Sequence, residues 1–242
     1  MRQNESGRHR PFVLVSRAWV HLNPVGRCRI RPFSEGIETK QRTIIRAGTL
    51  AGMMGPALFG TVLLALSVLE YDFMLGIGWH PVANPADAWP SGLALGPYGS
   101  LQVANFGVSG LLLAWFALGL HLGAIDGRGS PLGPALLFTA GAAMALMGFE
   151  TDPIRRTGPR SLHGLIHDAA FVIFVIAFLA ALFSLWRRFE ADSRWRGHAR
   201  YTLATGILAV LLLLLPGVAY YLFILTLLAW IEVTAVRLWR PS

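Results

Sequence analysis

Six apolar runs, separated by shorter polar segments, follow one another along the chain from residue 47 onwards. A helix rises about 1.5 Å per residue, so about 20 apolar residues cross the roughly 30 Å of hydrocarbon in a bilayer. The pattern therefore predicts an all-α integral membrane bundle of six transmembrane helices in one domain, residues 47–239. The predicted spans are residues 47–69, 101–125, 133–149, 162–186, 201–215 and 218–239.

Two local features of the runs add to this picture. The fifth run has only 15 residues before Pro216, so it either begins before Tyr201 or forms a kinked hairpin with the sixth run. Gly48 and Gly52, in the first run, have the small-xxx-small spacing that favours close contact between helices. Close packing of the first span against a neighbour is therefore expected.

Residues 1–46 have a different character, because they are polar and rich in arginine. Prolines at positions 11, 24 and 32 interrupt any helix there, and no apolar run of the signal-peptide type is present. A segment of this composition buries too little apolar surface to fold alone. It is predicted to be a disordered basic cytoplasmic tail, unless translation begins nearer Thr39.

Residues 71–100, between the first two spans, contain no lysine or arginine but several prolines and aromatic residues. Trp79, Trp89 and Tyr98 are of the type that prefers the interface between membrane and water. We expect this segment to lie at the outer interface as a lid across the bundle.

The distribution of charge predicts the topology. The chain has a net charge of +8, and 10 of its 21 basic residues precede residue 47. With the N-terminus inside, 18 basic residues fall in inner segments and 3 in outer ones, which predicts cytoplasmic N- and C-termini in the inner membrane.

Such topogenic charge is unlike a nucleic-acid-binding face, so the predicted partner is the lipid bilayer and no nucleic acid. With 54% hydrophobic and 14% charged residues, the composition also favours a membrane protein.

Candidate chemistry is concentrated between the third and fourth spans, in a polar outer cap. Its ionisable residues are Glu150, Asp152, Arg155, Arg156, Arg160, His163, His167 and Asp168. His163 and His167 lie one turn apart and about 40° apart around a helix. That spacing presents two imidazoles to one metal ion, so one hypothesis is a zinc site of His163, His167 and Asp152.

Two other interpretations of this cap remain open. Ionisable groups near the apolar zone are costly unless they are paired, so the cap is also explained as a network of ion pairs that seals the outer end. The three arginines alternatively bind a lipid headgroup or another anion. The single cysteine, Cys28, excludes an intramolecular disulfide and a cysteine-cluster metal site.

The order of these motifs resembles the domain-of-unknown-function 998 family of prokaryotic multi-span membrane proteins. The resemblance rests on Gly78-Trp79-His80-Pro81 in the first outer loop, Thr151-Asp152-Pro153 after the third span, and Gly158 with Leu162-His163 at the fourth. It covers roughly residues 45–238 and implies that Asp152 and His163 are the positions that matter most. The family brings no established activity.

A second, partial resemblance is to membrane-embedded zinc hydrolases of the alkaline ceramidase and adiponectin-receptor type, which gather histidines and an aspartate at one end of seven helices. Three functions are consequently open: an outer cap that binds or senses a ligand, a metal-dependent hydrolase or transferase acting on lipid at the outer leaflet, and a purely structural membrane protein.

Overall fold

The computed structural model describes residues 20–22, 28–30, 33–124, 130–153 and 158–239, with side chains from residue 38 onwards. The chain divides into two compact units, Met1–Arg42 and Thr43–Ser242. In the first unit, strand β1 (Val20–Leu22) pairs antiparallel with strand β2 (Cys28–Ile30), so that Val20 lies opposite Ile30. The rest of the predicted disordered tail before Phe33 falls outside the described ranges.

The described helices are α1 (Phe33–Leu69), α2 (Tyr71–Gly76), α3 (Gly99–Gly123), α4 (Leu132–Leu146), α5 (Leu162–Ala191), α6 (Arg196–Leu214) and α7 (Ala219–Trp239). Two short 3-10 helices, Pro85–Asp87 and Ser91–Leu95, lie between α2 and α3. Five of the helices have the length and apolar composition to cross a membrane: α3, α5, α6, α7 and the part of α1 from Glu38 onwards. The prediction of a helical multi-span protein is thereby confirmed.

The helices differ from the predicted spans mainly at their ends. Helix α1 begins at Phe33, 14 residues before the predicted span at residue 47, because no proline lies between Pro32 and that span and the straight-chain residues there favour helix. Helix α6 begins at Arg196 and has 19 residues, which accounts for the short fifth run. The third run yields α4 with 15 residues, a shorter apolar helix than the other five.

Helices α3 to α7 pack in chain order, each against the next, and α7 also contacts α3. Within the unit from Thr43, α1 lies against α3 at glycines: a Cβ added to Gly48 would be 2.7 Å from the Cα of Gly119. A Cβ added to Gly110 of α3 would likewise be 2.3 Å from the backbone nitrogen of Ala145 in α4. The predicted close packing of the first span is confirmed, because glycine lets the backbones approach.

One end of the bundle, where α5, α6 and α7 meet near residues 189–201, is closed by an aromatic cluster, which we call the aromatic end. Phe189 stacks on Trp195 with ring centroids 4.7 Å apart. The ring of His198 lies edge-on to both, at 5.5 and 5.4 Å. The guanidinium of Arg237 lies 5.7 Å from the centroid of the Trp195 ring and also donates to the carbonyl of Arg194.

Hydrogen bonds between helices continue inward from this cluster. Thr234 donates to the carbonyl of Trp230 at 2.6 Å, so its oxygen accepts the Nε2 hydrogen of His198 at 2.9 Å. The indole Nε1 of Trp230 donates to Thr202 at 3.1 Å. Because these side chains are buried and paired, α6 and α7 are joined by bonds whose loss would leave polar groups without partners.

Candidate functional site

The opposite end of the bundle, the cap end, is covered by the segment Glu70–Tyr98, which we call the lid. Met74 and Leu93 are fully buried, and Trp79 is 4% exposed. The indole Nε1 of Trp89 donates to the hydroxyl of Ser67 at 2.8 Å. The peptide bond between Trp89 and Pro90 is cis. The expectation that this loop covers the bundle is confirmed by this burial.

Glu70 holds the two ends of the lid together. Its side chain is buried, and Oε1 accepts a hydrogen bond from the backbone nitrogen of Tyr98 at 2.6 Å. Oε2 is buried and has no hydrogen-bond partner among the residues that the structure describes. A Cβ at Gly96 would lie 2.4 Å from this carboxylate, so the absence of a side chain there makes room for it. The sequence pattern alone did not single out Glu70.

A row of polar side chains on α3 connects the lid to α1. The amide of Gln102 donates to the carbonyl of Pro90 at 3.4 Å. The amide of Asn105 donates to the carbonyl of Phe59 at 3.3 Å and to Gln102 at 3.2 Å. Ser109 in turn donates to Asn105. All three α3 side chains are buried, so this row aligns the lid with two helices.

His167 joins the lid to the hairpin, by which we mean residues 147–161 between α4 and α5. Its side chain is buried, and its Nδ1 lies 2.9 Å from the carbonyl oxygen of Met147 and 2.8 Å from that of Phe149. Carbonyls only accept, so Nδ1 carries the hydrogen. Nε2 therefore accepts the hydroxyl hydrogen of Ser91, at 2.8 Å. One imidazole thus fastens the lid and the end of α4 to α5.

The other members of the predicted zinc site do not join His167. His163 is exposed and lies against the ring of Phe149, with centroids 5.6 Å apart. Asp152 lies over the first turn of α5. Among the described residues, no group of three or more His, Cys, Asp or Glu side chains is arranged to hold a metal ion. Both nitrogens of His167 also already have partners, so this geometry does not assemble the three residues around zinc.

Asp152 stabilises the start of α5. Its Oδ2 accepts from the backbone nitrogen of Ser161 at 3.0 Å, and the Ser161 hydroxyl accepts from the nitrogen of Gly164 at 2.9 Å. A Cβ at Gly164 would lie 2.3 Å from Oδ2 of Asp152, so the carboxylate lies directly on the helix end. A negative charge there is favourable because the helix dipole is positive at its N-terminus.

The remaining predicted residues of the cap lie at the surface or outside the described part of the chain. Arg160 forms an ion pair with Asp168, and their side chains are 48% and 45% exposed. Such an exposed pair contributes less than about 1 kcal/mol. Glu150 is exposed, and Arg155 and Arg156 belong to residues 154–157, which are not described. Contacts at this end of the bundle are thus described for Asp152, His167 and the Arg160–Asp168 pair.

Beneath Ser91 and Pro90 of the lid lies a cavity of about 60 Å³. Helices α1, α3, α4, α5 and α7 all contribute to its wall, which consists almost wholly of aromatic and aliphatic side chains. Phe106, whose ring lies 6.1 Å from that of His167, is part of the wall. Sequence reasoning did not identify Ser91 or this cavity, because apolar residues on five helices converge only in the fold.

Residues 59–237 match the sequence model of a family described as "Protein of unknown function (DUF998)". No curated protein and no solved structure matches the chain. The matched range contains the lid, the hairpin, helices α2 to α6 and all but the last two residues of α7. It also contains the motifs on which the resemblance was based, and it covers well over half of the sequence. The chain belongs to the DUF998 family of proteins of unknown function.

Proposed function

We propose that this multi-pass membrane protein crosses the cytoplasmic membrane six times, with both termini in the cytoplasm, and binds or senses a ligand at its outer face. Five helices are long and apolar enough to span, and we assign the sixth crossing to α4, a shorter apolar helix. Backbone bonds from Met147 to Ala143 and from Phe149 to Leu146 extend α4 by a further turn. Residues 132–149 then rise about 27 Å, which is close to the thickness of the hydrocarbon.

The charge distribution supports this orientation. Six crossings place 18 of the 21 basic residues on the side of the termini and 3 on the side of the lid and hairpin, as the positive-inside rule requires. Reporter fusions after Pro90 and Gly158 are expected to report the outer side, and fusions after Ser193 and Ser242 the cytoplasm. A cytoplasmic signal at Gly158 would contradict the six-span arrangement.

Ligand binding is supported by one observation above the others: Ser91, which hydrogen-bonds to His167, also lines an apolar cavity. Binding sites for small molecules are typically concave and apolar, with a few polar groups converging on them. A junction made only to hold helices together would not require a cavity beneath it. The lid, the hairpin and the cavity form a covered site of this kind.

Phospholipid is the first ligand to test, since it surrounds the protein. The melting temperature of the detergent-purified protein would be measured during titration with phosphatidylglycerol, phosphatidylethanolamine and zinc chloride. A saturable rise with a phospholipid is expected by mass action, and it should be smaller in Ser91→Ala than in Ser193→Ala, a matched change at an exposed serine between α5 and α6.

Two outcomes of this titration would overturn the proposal. A melting temperature that no lipid raises would leave the cap as a seal alone. A rise with zinc that is lost in His163→Ala would favour a metal site in place of the covered cavity.

A further inference from the structure

The cavity under the lid has a composition that limits what can occupy it. Phe106, Phe178 and Leu227 are among its wall residues, and the hydroxyl of Ser91 is at its polar end. A cavity with such a wall does not hold water, because water needs two to four polar partners. Any polar group of a molecule in this cavity is therefore expected only at the end near Ser91.

The size of the cavity limits the occupant further. Its volume of about 60 Å³ is less than half of the roughly 150 Å³ that accommodates a benzene molecule. Rings and sterols are therefore too wide. A thin and flexible group, such as the end of a hydrocarbon chain, is the apolar chemistry that fits.

The cavity is also elongated along the bundle. On α7 its wall runs from Tyr220 to Ile231, a distance of about 16 Å along the helix. A smaller cavity of about 20 Å³ adjoins it between α1, α3 and α7 and shares Phe59 and Leu113 with it. The space is thus long, narrow and parallel to the helices, which is the direction of lipid chains in a bilayer.

We propose that this cavity takes the end of one hydrocarbon chain of a phospholipid whose head lies at the cap. The inference rests on the proposed function, because the cap closes over the same site. Ser91 donates its hydrogen to His167, and its oxygen remains able to accept a hydrogen bond from a hydroxyl of the lipid head. The hydrocarbon chain supplies the van der Waals contacts that the wall residues lack when the cavity is empty.

Photolabelling tests this assignment directly. The full chain would be placed in nanodiscs containing phosphatidylglycerol with a diazirine near the end of one acyl chain. Lipid around the protein will label exposed residues such as Ile176 and Leu225, which are 64% and 59% exposed. A chain in the cavity will also label Phe178 and Leu227, which are 0% and 4% exposed. Labels confined to the exposed residues would overturn the inference.

A matched pair of variants on α7 separates the cavity from the surface. Leu227→Phe fills the cavity and should reduce the label on Phe178 about fivefold or more. Leu225→Phe adds the same group to the lipid-facing side and should leave that label unchanged. Equal labelling of Phe178 in both variants would contradict occupation of the cavity, and a single cooperative melting transition in each variant would show that both are folded.

The outcomes distinguish this inference from the proposed function. If phosphatidylglycerol raises the melting temperature equally in the wild type and in Leu227→Phe, and Phe178 is not labelled, the cap binds a head alone and the chain assignment is wrong. If no lipid raises the melting temperature of the wild type, the proposed function is wrong, whatever the labelling pattern.

Discussion

Each end of the bundle contains one buried histidine, and the two have opposite surroundings. His198 is surrounded by aromatic rings and bonded to Thr234 of the neighbouring helix. His167 is bonded to Ser91 in the lid and to backbone carbonyls after α4, beside a cavity. His198 thus joins two long helices to each other. His167 instead joins the lid and the hairpin, which contain no long helix, to α5. Only the second histidine lies beside the cavity.

The largest effect is expected at the aromatic end. His198→Ala removes a ring that packs edge-on against both Phe189 and Trp195, and it leaves Thr234 without its donor. We expect the free energy of unfolding in detergent to fall by about 2–4 kcal/mol. Phe189, Trp195 and His198 do not line the cavity, so the phospholipid-induced rise in melting temperature should persist. Loss of that rise would show that the two ends are coupled.

A smaller and more local effect is expected for His167→Ala. It leaves Ser91 and two carbonyls without partners, at a cost of about 1–3 kcal/mol. Hydrogen exchange should increase in residues 71–98 and 147–153, and the lipid response should diminish. The control is His163→Ala, since His163 is exposed and should give a change near zero. An equal loss in both variants would remove the reason to distinguish the two histidines.

Asp152→Asn should cost less again. The amide keeps its shape but loses the negative charge that faces the start of α5, and interactions of this type contribute about 0.5–1 kcal/mol. Thermal unfolding measured beside Glu150→Gln, an exposed acid of the same hairpin, checks the assignment. The two variants should differ, and identical melting curves would mean that Asp152 does not stabilise the helix end.

The smallest effect concerns Asp192, in the loop between α5 and α6. A side-chain hydrogen bond from Arg194 holds the pKa of Asp192 below its usual value of 3.8. The stability from this pair is fully present above that usual value and is lost as the pH falls through the lower pKa of the folded state. Because the side chains of the pair remain 39% and 25% exposed to solvent, its contribution is below about 1 kcal/mol.

Comparing the acid unfolding of the wild type with that of Asp192→Asn checks this last expectation. The stability difference between the two proteins should shrink as the pH drops below about 4. A difference that grows towards acid pH would have the wrong sign for a lowered pKa.

The apolar pattern predicted most of the helices but not the positions of individual polar groups. Helices α3, α5 and α7 follow from long apolar runs, whereas α1 and α6 begin in polar sequence, where hydropathy gives no signal. His163 and His167 share a helix face by spacing, but one turn of depth and about 40° place one at the surface and the other under the lid. Which side chains meet across the bundle depends on tertiary contacts.

Glu70 and Ser91 illustrate the same limit. Both lie in a segment that reads as an ordinary outer loop, yet Glu70 is buried against Tyr98 and Ser91 bonds to a residue 76 positions later. Local sequence contains no information about such distant partners. The presence of proline and tryptophan predicted that the segment covers the bundle, but not which of its atoms close the site.

The proposed function requires the cap end to respond to a lipid and the aromatic end to remain unaffected. Hydrogen–deuterium exchange of the full chain, in detergent with and without phosphatidylglycerol, measures both ends in one experiment. We expect slower exchange in the lid and in residues 147–153 when lipid is added, and unchanged exchange around residues 189–201. Equal protection of both ends, or no protection of the lid, would contradict this expectation.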